Sequence, residues 1–364
     1  MRSDIIKRTV APVMACLLAV PAAASAQSSL TVVSWGGSYE VSQTKAYHEP
    51  YTDMTGTKII RVSKSSNGPA GIRAQVESGD VTWDLVDVIP GAAMRLCDLG
   101  LVARIDYDKV LKPAPNGDPA SEDFIPDLPG CFVPEVVFGT VWAYNREAWR
   151  GEQPDSIADV WDTSQYPGKR ALQKIPGGNL EWALMADGVE IDRIYEALRT
   201  EEGVDRAFAK LGELKPYAVW WQEAAQPPQL LADKEVAFAS SYNGRFFNAQ
   251  VVENQPFEII WDGQVIEPTG WVIPKGQLTE KVRNYLRFAT DTQRLADQAR
   301  YISYGPARRS SASLVGDHAQ TGVDMKPHMP TNPEHMESAI RKDIEFWATH
   351  GDTLAERFNA WLAL

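Results

Sequence analysis

The chain has 364 residues, 44% apolar and 23% charged, the balance of an ordinary folded protein and not of a disordered or fibrous one. Its length suits about two domains. A net charge of −12 repels nucleic-acid backbones and anionic membrane surfaces, so neither is expected as a partner.

Arg2, Lys7 and Arg8 precede a mostly apolar run from Val10 to Ala24, and Ala24-Ser25-Ala26 sets small residues before a cut at Gln27. Residues 1–26 are expected to be a signal peptide, because the run is too short for a membrane span and contains Pro12 and Pro21. Val13-Met14-Ala15-Cys16 weakly matches a lipoprotein box, but cleavage there would leave a hydrophobic mature terminus. The expected compartment is the periplasm. Only Cys97 and Cys131 then remain, an even number in an oxidising environment without Cys-x-x-Cys spacing, which favours a disulfide over two buried thiols.

The mature chain alternates strand and helix signals. Residues 30–35 form a β-rich run, Gly36-Gly37 interrupts it, and Ser38 caps a helix expected from Tyr39 to about Tyr51. Strands at 58–62 and 84–88 alternate with helices at 70–78 and 92–99, and a further strand is expected at Val133–Phe138. A second block from about Tyr144 carries helices near 180–187, 192–198 and 204–214, with strands at 218–221 and 236–240. A strand ends in Trp271-Val272-Ile273-Pro274-Lys275-Gly276, and from Thr279 onward the pattern is mostly helical. Such alternation implies βαβ units and a mainly parallel sheet, with ligands held beyond the carboxyl ends of its strands. Trp347, Phe358 and Trp361 are spaced as the docking face of an amphipathic helix.

Enzyme signatures do not occur: there is no Gly-x-Ser-x-Gly elbow, phosphate loop, dinucleotide fingerprint or His-Glu-x-x-His. No cofactor, metal or catalytic residue is expected. His48, His318, His328, His335 and His350 have no metal-ligand spacing and read as solvated surface. Aromatic residues instead collect beside turns: Trp35 and Tyr39 flank Gly36-Gly37, Trp220-Trp221 end a strand, Tyr242 precedes Asn243-Gly244-Arg245, and Tyr304 precedes Gly305-Pro306. Aromatics at several strand ends of an α/β protein favour a ligand pocket over core filling.

Ser34-Trp35-Gly36-Gly37-Ser38-Tyr39, Trp83-Asp84-Leu85-Val86, Tyr166-Pro167-Gly168-Lys169, Ser241-Tyr242-Asn243-Gly244-Arg245, Trp271 to Gly276 and Ser303-Tyr304-Gly305-Pro306, taken in order, resemble a periplasmic substrate-binding protein of an ABC importer. More narrowly they are similar to the spermidine/putrescine-binding group. The resemblance implies an α/β, two-lobe periplasmic binding protein fold (type II), hinged, with the ligand in the interlobe cleft. Lobe 1 would comprise residues 27–143 plus 270–364 and lobe 2 residues 144–269, in a monomer serving an inner-membrane ABC permease. Trp35, Tyr39, Tyr242 and Tyr304 match the family's aromatic box, whose faces attract an ammonium group.

The sequence departs from the polyamine pattern at its acids. Thr269 stands where that group usually places a carboxylate two residues before Trp271, and the group's second acid would fall near Gly178, in the Gly177-Gly178-Asn179 turn, so a dication would miss both partners. Arg245, next to the Tyr-Asn-Gly turn, offers a planar fork for a carboxylate. The expected solute is therefore a small amine- or amino-acid-like molecule bearing a carboxylate, with a simple polyamine as the alternative. Trp221 is a further wall candidate, and Glu223 and Asp87 are weak candidates for an ammonium partner. A secreted enzyme acting on a small molecule is the competing class, and a ligand-free scaffold a third.

Overall fold

The computed structural model describes residues 28–63, 67–125 and 128–364. The expected signal peptide lies outside the described residues, as do Ser65 and Ser66 of the loop before Gly68.

Among the described residues ten strands form one sheet: β1 Ser29–Ser34, β2 Lys58–Ser63, β3 Leu85–Val88, β4 Val133–Asn145, β5 Arg170–Gln173, β6 Ala218–Trp221, β7 Phe238–Tyr242, β8 Phe257–Val272, β9 Gly305–Pro306 and β10 Ile340–Arg341. Their order is β2-β1-β3-β8-β4-β7-β5-β6, with β10 beside β8 and β9 beside β4. The sheet is mixed, not mainly parallel. β1 pairs in parallel with β2 and β3, and β5 with β6 and β7, but the centre is antiparallel, β8 lying between β3 and β4 and β4 against β7. Helical crossovers force parallel pairing within each end, whereas β4 and β8 carry the chain out of the first half and back again.

Alternation along each strand builds a core on both faces of each half. In the first half, Leu30, Val32, Leu85 and Trp271 face one core, while Val33, Val86, Val88 and Val272 face the other. In the second, Trp142, Tyr144, Leu172 and Phe238 face one side, and Val141, Ala143, Ala171 and Ala239 the opposite side. Cys97 and Cys131 are joined, with Cα atoms 5.9 Å apart, tying the helix Pro90–Asp98 to the approach to β4.

The C-terminal region differs from its expected helical pattern. Helices span Glu280–Ala289 and Thr292–Gln298, then the chain is irregular apart from short turns and β9 and β10, until the helix Ile344–Ala363. Phe346, Leu354 and Phe358 of that last helix enter a core of the second half, where Phe358 and Trp361 pack on Trp220. The last helix, placed in lobe 1 from the sequence, thus packs on residues of the second half. The same helix also lies along Pro90–Asp98, so it spans both halves.

Two histidines contradict the surface reading. His48 is 3% exposed, stacked on Tyr285 and bonded to its hydroxyl at 2.8 Å, with burial and nearby Arg61 lowering its pKa to about 3. His318 is buried edge-on to Phe247. Burial favours the neutral imidazole over the charged one, and its ring faces pack as apolar surface, although Nε2 of His48 has no hydrogen-bond partner among the described residues.

Candidate ligand-binding cleft

The site forms where the carboxyl end of β1, the middle of β4 and β8, the end of β7 and the Ile302–Tyr304 loop converge. Tyr39, Val136, Phe138, Ile302 and Tyr304 make one apolar cluster, and the half-buried Tyr242 packs against it. Ring centroids lie 6.3 Å apart for Tyr39 and Tyr304, 5.9 Å for Phe138 and Tyr304, and 5.4 Å for Phe138 and Tyr242. Tyr39, Tyr242 and Tyr304 are thereby brought together. Trp35 is 38% exposed at the rim; its indole N–H donates to the Thr269 hydroxyl at 2.8 Å, which donates in turn to the Val88 carbonyl. Thr269 thus fixes a wall indole where the polyamine pattern would have an acid.

Of the remaining candidates, Trp221 is buried behind Tyr242, ring centroids 6.3 Å apart, and supports the wall from the core side. Glu223 stands exposed on the turn after β6, its backbone N–H bonded to Gln226. Asp87 is fully buried beneath Tyr39 and shares that position with Glu135. The Tyr39 hydroxyl lies 3.2 Å from Asp87 and 3.3 Å from Glu135, and Gln43 Nε2 donates to both carboxyls at 3.0 Å. Glu135 enters this cluster because the β4–β8 register slips between Pro134 and Val136, a bulge that turns one side chain out of the alternation. Burial first, and then the charge of Asp87, pushes Glu135 well above the usual carboxylate range. These acids lie behind Tyr39 and take its hydroxyl.

The Tyr242-Asn243-Gly244-Arg245 turn is anchored on both sides. Asn243 accepts from the Gly139 N–H at 3.0 Å and donates to the Ser303 carbonyl at 2.5 Å. Gly244 is needed because a β-carbon there would stand 2.8 Å from the Tyr304 ring. This close seating carries Arg245, on the helix Asn243–Phe247, across to Gly37 in the first half. Among the described residues no carboxylate pairs with the half-buried Arg245. Beside it a cavity of about 490 Å³ opens, lined by Ser38 from the first half and by Gln229, Asn248, Glu253 and Gln255 from the second.

Besides Glu135 and Gln43, the residues Phe138, Glu267 and Lys342 were not foreseen. Phe138 and Glu267 are cross-strand partners on β4 and β8, and Lys342 Nζ bonds Glu267 at 2.6 Å. Phe138 lay within an expected strand, and its alternation with Val137 is the signal that could have marked its face. Nothing in the local sequence joins Glu267 to Lys342, which come together only because β10 pairs with β8.

Two α/β halves joined through two long strands, with an aromatic-walled cleft at their junction, define a hinged two-lobe substrate-binding protein of the ABC-importer class. The chain belongs to the bacterial extracellular solute-binding protein family, whose profile matches residues 46–331. It is 39% identical over 349 residues to a gamma-aminobutyric acid-binding protein of Pseudomonas aeruginosa, covering 95% of this chain and 94% of that one. A solved structure of a GABA receptor is 30% identical with TM-score 0.77, covering 92% of this chain and 97% of that one. The periplasmic binding protein MotA of A. tumefaciens B6, solved with glucopine, is 27% identical with TM-score 0.79, covering 92% and 99%. A spermidine/putrescine-binding protein of Streptococcus pneumoniae shares the fold at 16% identity and TM-score 0.67, covering 92% and 99%.

Proposed function

We propose that the chain is the periplasmic solute-binding component of an ABC importer for a short ω-amino acid of the 4-aminobutyrate type. The observation that carries this reading is the Arg245 guanidinium, which has no carboxylate partner among the described residues and is seated against Gly37 at the junction of the halves. A planar guanidinium takes a carboxylate through two charge-assisted hydrogen bonds, and a half-buried setting strengthens them. The Tyr39, Tyr242, Tyr304 and Trp35 rings then receive the ammonium end, each cation–π contact contributing about 1–2 kcal/mol once water is excluded. The similarity to two GABA-binding proteins supports the same ligand class. A diamine would set a second ammonium against Arg245.

In this reading the lobes are residues 27–143 with 270 to about 339, and 144–269 with the C-terminal segment, acting as a monomer in the periplasm after removal of residues 1–26. The ligand touches both lobes and stabilises the closed form by its differential affinity, and that form is what a permease reads as loaded. Native mass spectrometry of protein purified without refolding tests the assignment: a co-purified small amino acid is expected, and a diamine in its place would refute it. The same ligand recovered chemically unchanged after incubation separates capture from turnover.

A further inference from the structure

Glu267 and Lys342 stand in the cleft wall with side chains only 11% and 16% exposed. Glu267 is the β8 partner of Phe138, whose ring meets Tyr242 edge-on. Lys342 reaches Glu267 from the strand end after Arg341, with its ammonium 5.9 Å from the Trp347 ring centroid and 3.8 Å from where a β-carbon on Gly177 would stand. Behind it, Glu181 is already held by the Gly178 N–H, the Tyr195 hydroxyl and the Trp347 indole at 2.8, 2.8 and 2.9 Å. Lys342 therefore spends its charge chiefly on Glu267, an acid that would otherwise face the aromatic cluster. Burial is the largest influence and opposes that charge, but Glu267, with smaller help from Glu181, holds the Lys342 ammonium above its ordinary range.

We infer that Lys342 is a specificity-determining residue: by occupying Glu267 it denies that carboxylate to a second ammonium group, so that the cleft accepts a zwitterion and rejects a diamine. The inference rests on the ω-amino acid reading and extends it from what the site attracts to what it excludes. Arg245 and Lys342 leave Glu267 no uncompensated negative charge, while Glu181 beside Lys342 and the Asp87–Glu135 pair beneath Tyr39 are held by their own hydrogen-bond partners. A zwitterion leaves that balance unchanged, whereas a dication adds two like charges and meets no free acid among these three groups. Exclusion of this kind is built from repulsion as well as attraction.

Titration calorimetry on the mature chain tests this with 4-aminobutyrate and putrescine against wild type, Arg245→Ala, Arg245→Ala with Lys342→Met, and that pair combined with Glu267→Gln. Putrescine is expected to bind about tenfold or more tighter to the double variant than to Arg245→Ala, and the gain is expected to vanish with Glu267→Gln. A purely structural role for Lys342 would weaken both ligands together. No putrescine gain in a double variant that still melts cooperatively overturns the inference, as does a gain that survives Glu267→Gln. Where Lys342→Met does not fold, Lys342→Gln removes the cation, and a putrescine gain in the same direction but smaller is expected, because its amide still donates to one Glu267 oxygen. Wild-type binding of 4-aminobutyrate is scored separately, so the underlying reading can fail or stand independently of Lys342.

Discussion

The guanidinium of Arg245 lies so close to Gly37 that a β-carbon on that glycine would stand 3.2 Å from Nη1 and 3.3 Å from Nη2. Gly37 also has φ of +58°, a left-handed conformation that side-chain-bearing residues adopt only with strain. Gly37→Ala is therefore expected to weaken 4-aminobutyrate binding by about tenfold or more, because the added methyl displaces the fork while the local strain costs about 1 kcal/mol. Calorimetry alongside thermal melting separates the two effects. An unchanged affinity would mean that Arg245 is free of Gly37 when the ligand is held.

The Cys97–Cys131 bridge closes a loop with sequence separation 34 and lies away from the aromatic cluster. Replacing both cysteines with alanine is expected to lower stability by about 3 kcal/mol without abolishing binding. Denaturant unfolding and ligand titration of the same variant check this, and thiol counting of unreduced, denatured wild type should find none free. Two free thiols would refute the bridge.

The Asp87–Glu135 pair gives stability a pH dependence of definite sign. Burial raises both carboxyls in the folded chain, so between the unfolded carboxylate value of about 4 and the raised folded values the native state binds more protons than the unfolded one. Stability from this pair is fully present below about pH 4 and is lost as pH rises through the folded values. Glu135→Gln, which keeps an acceptor for the Tyr39 hydroxyl, should flatten the dependence and raise the melting temperature at pH 8 relative to wild type. A steeper loss with rising pH in the variant would contradict the assignment.

Closure should be visible in solution. β4 and β8 carry register irregularities at Pro134/Val136 and Thr140/Trp142, the places where two crossing strands can bend without breaking their whole ladder. Small-angle scattering is expected to show a smaller radius of gyration with saturating 4-aminobutyrate. The same radius with and without ligand would argue against hinged capture.

Much of this was legible in the sequence where a single short segment carried the signal. Residues 30–34, 58–62 and 84–88 are β-rich and punctuated by glycine, and the aromatic positions beside Gly36-Gly37, Asn243-Gly244 and Gly305 stand together in the fold. β8 was visible only at its end, because Gly263 and Pro268 interrupt the pattern of a strand that nonetheless runs from Phe257 to Val272. The antiparallel centre could not be read, since strand direction follows from how β4 and β8 cross between halves and not from any local propensity. Asp87 was nominated as a ligand partner from its strand end alone; its true neighbours, Glu135 and Gln43, arrive from elements 48 and 44 positions away. Trp220 resembled a cleft aromatic by position, but the C-terminal helix covers it.

The most direct test of the central claim is titration calorimetry of wild type and Arg245→Ala with 4-aminobutyrate, putrescine and spermidine. Removing the fork leaves the ligand carboxylate unpaired in a half-buried setting, a loss of about 2–5 kcal/mol, so affinity for 4-aminobutyrate should fall by more than about thirtyfold. Arg245→Lys should recover only part of it, because an ammonium cannot pair both carboxylate oxygens at once. Diamine binding, already weak, should stay the same or improve. Wild type that binds putrescine tightly and ignores 4-aminobutyrate, with neither affinity altered by Arg245→Ala, would contradict the account.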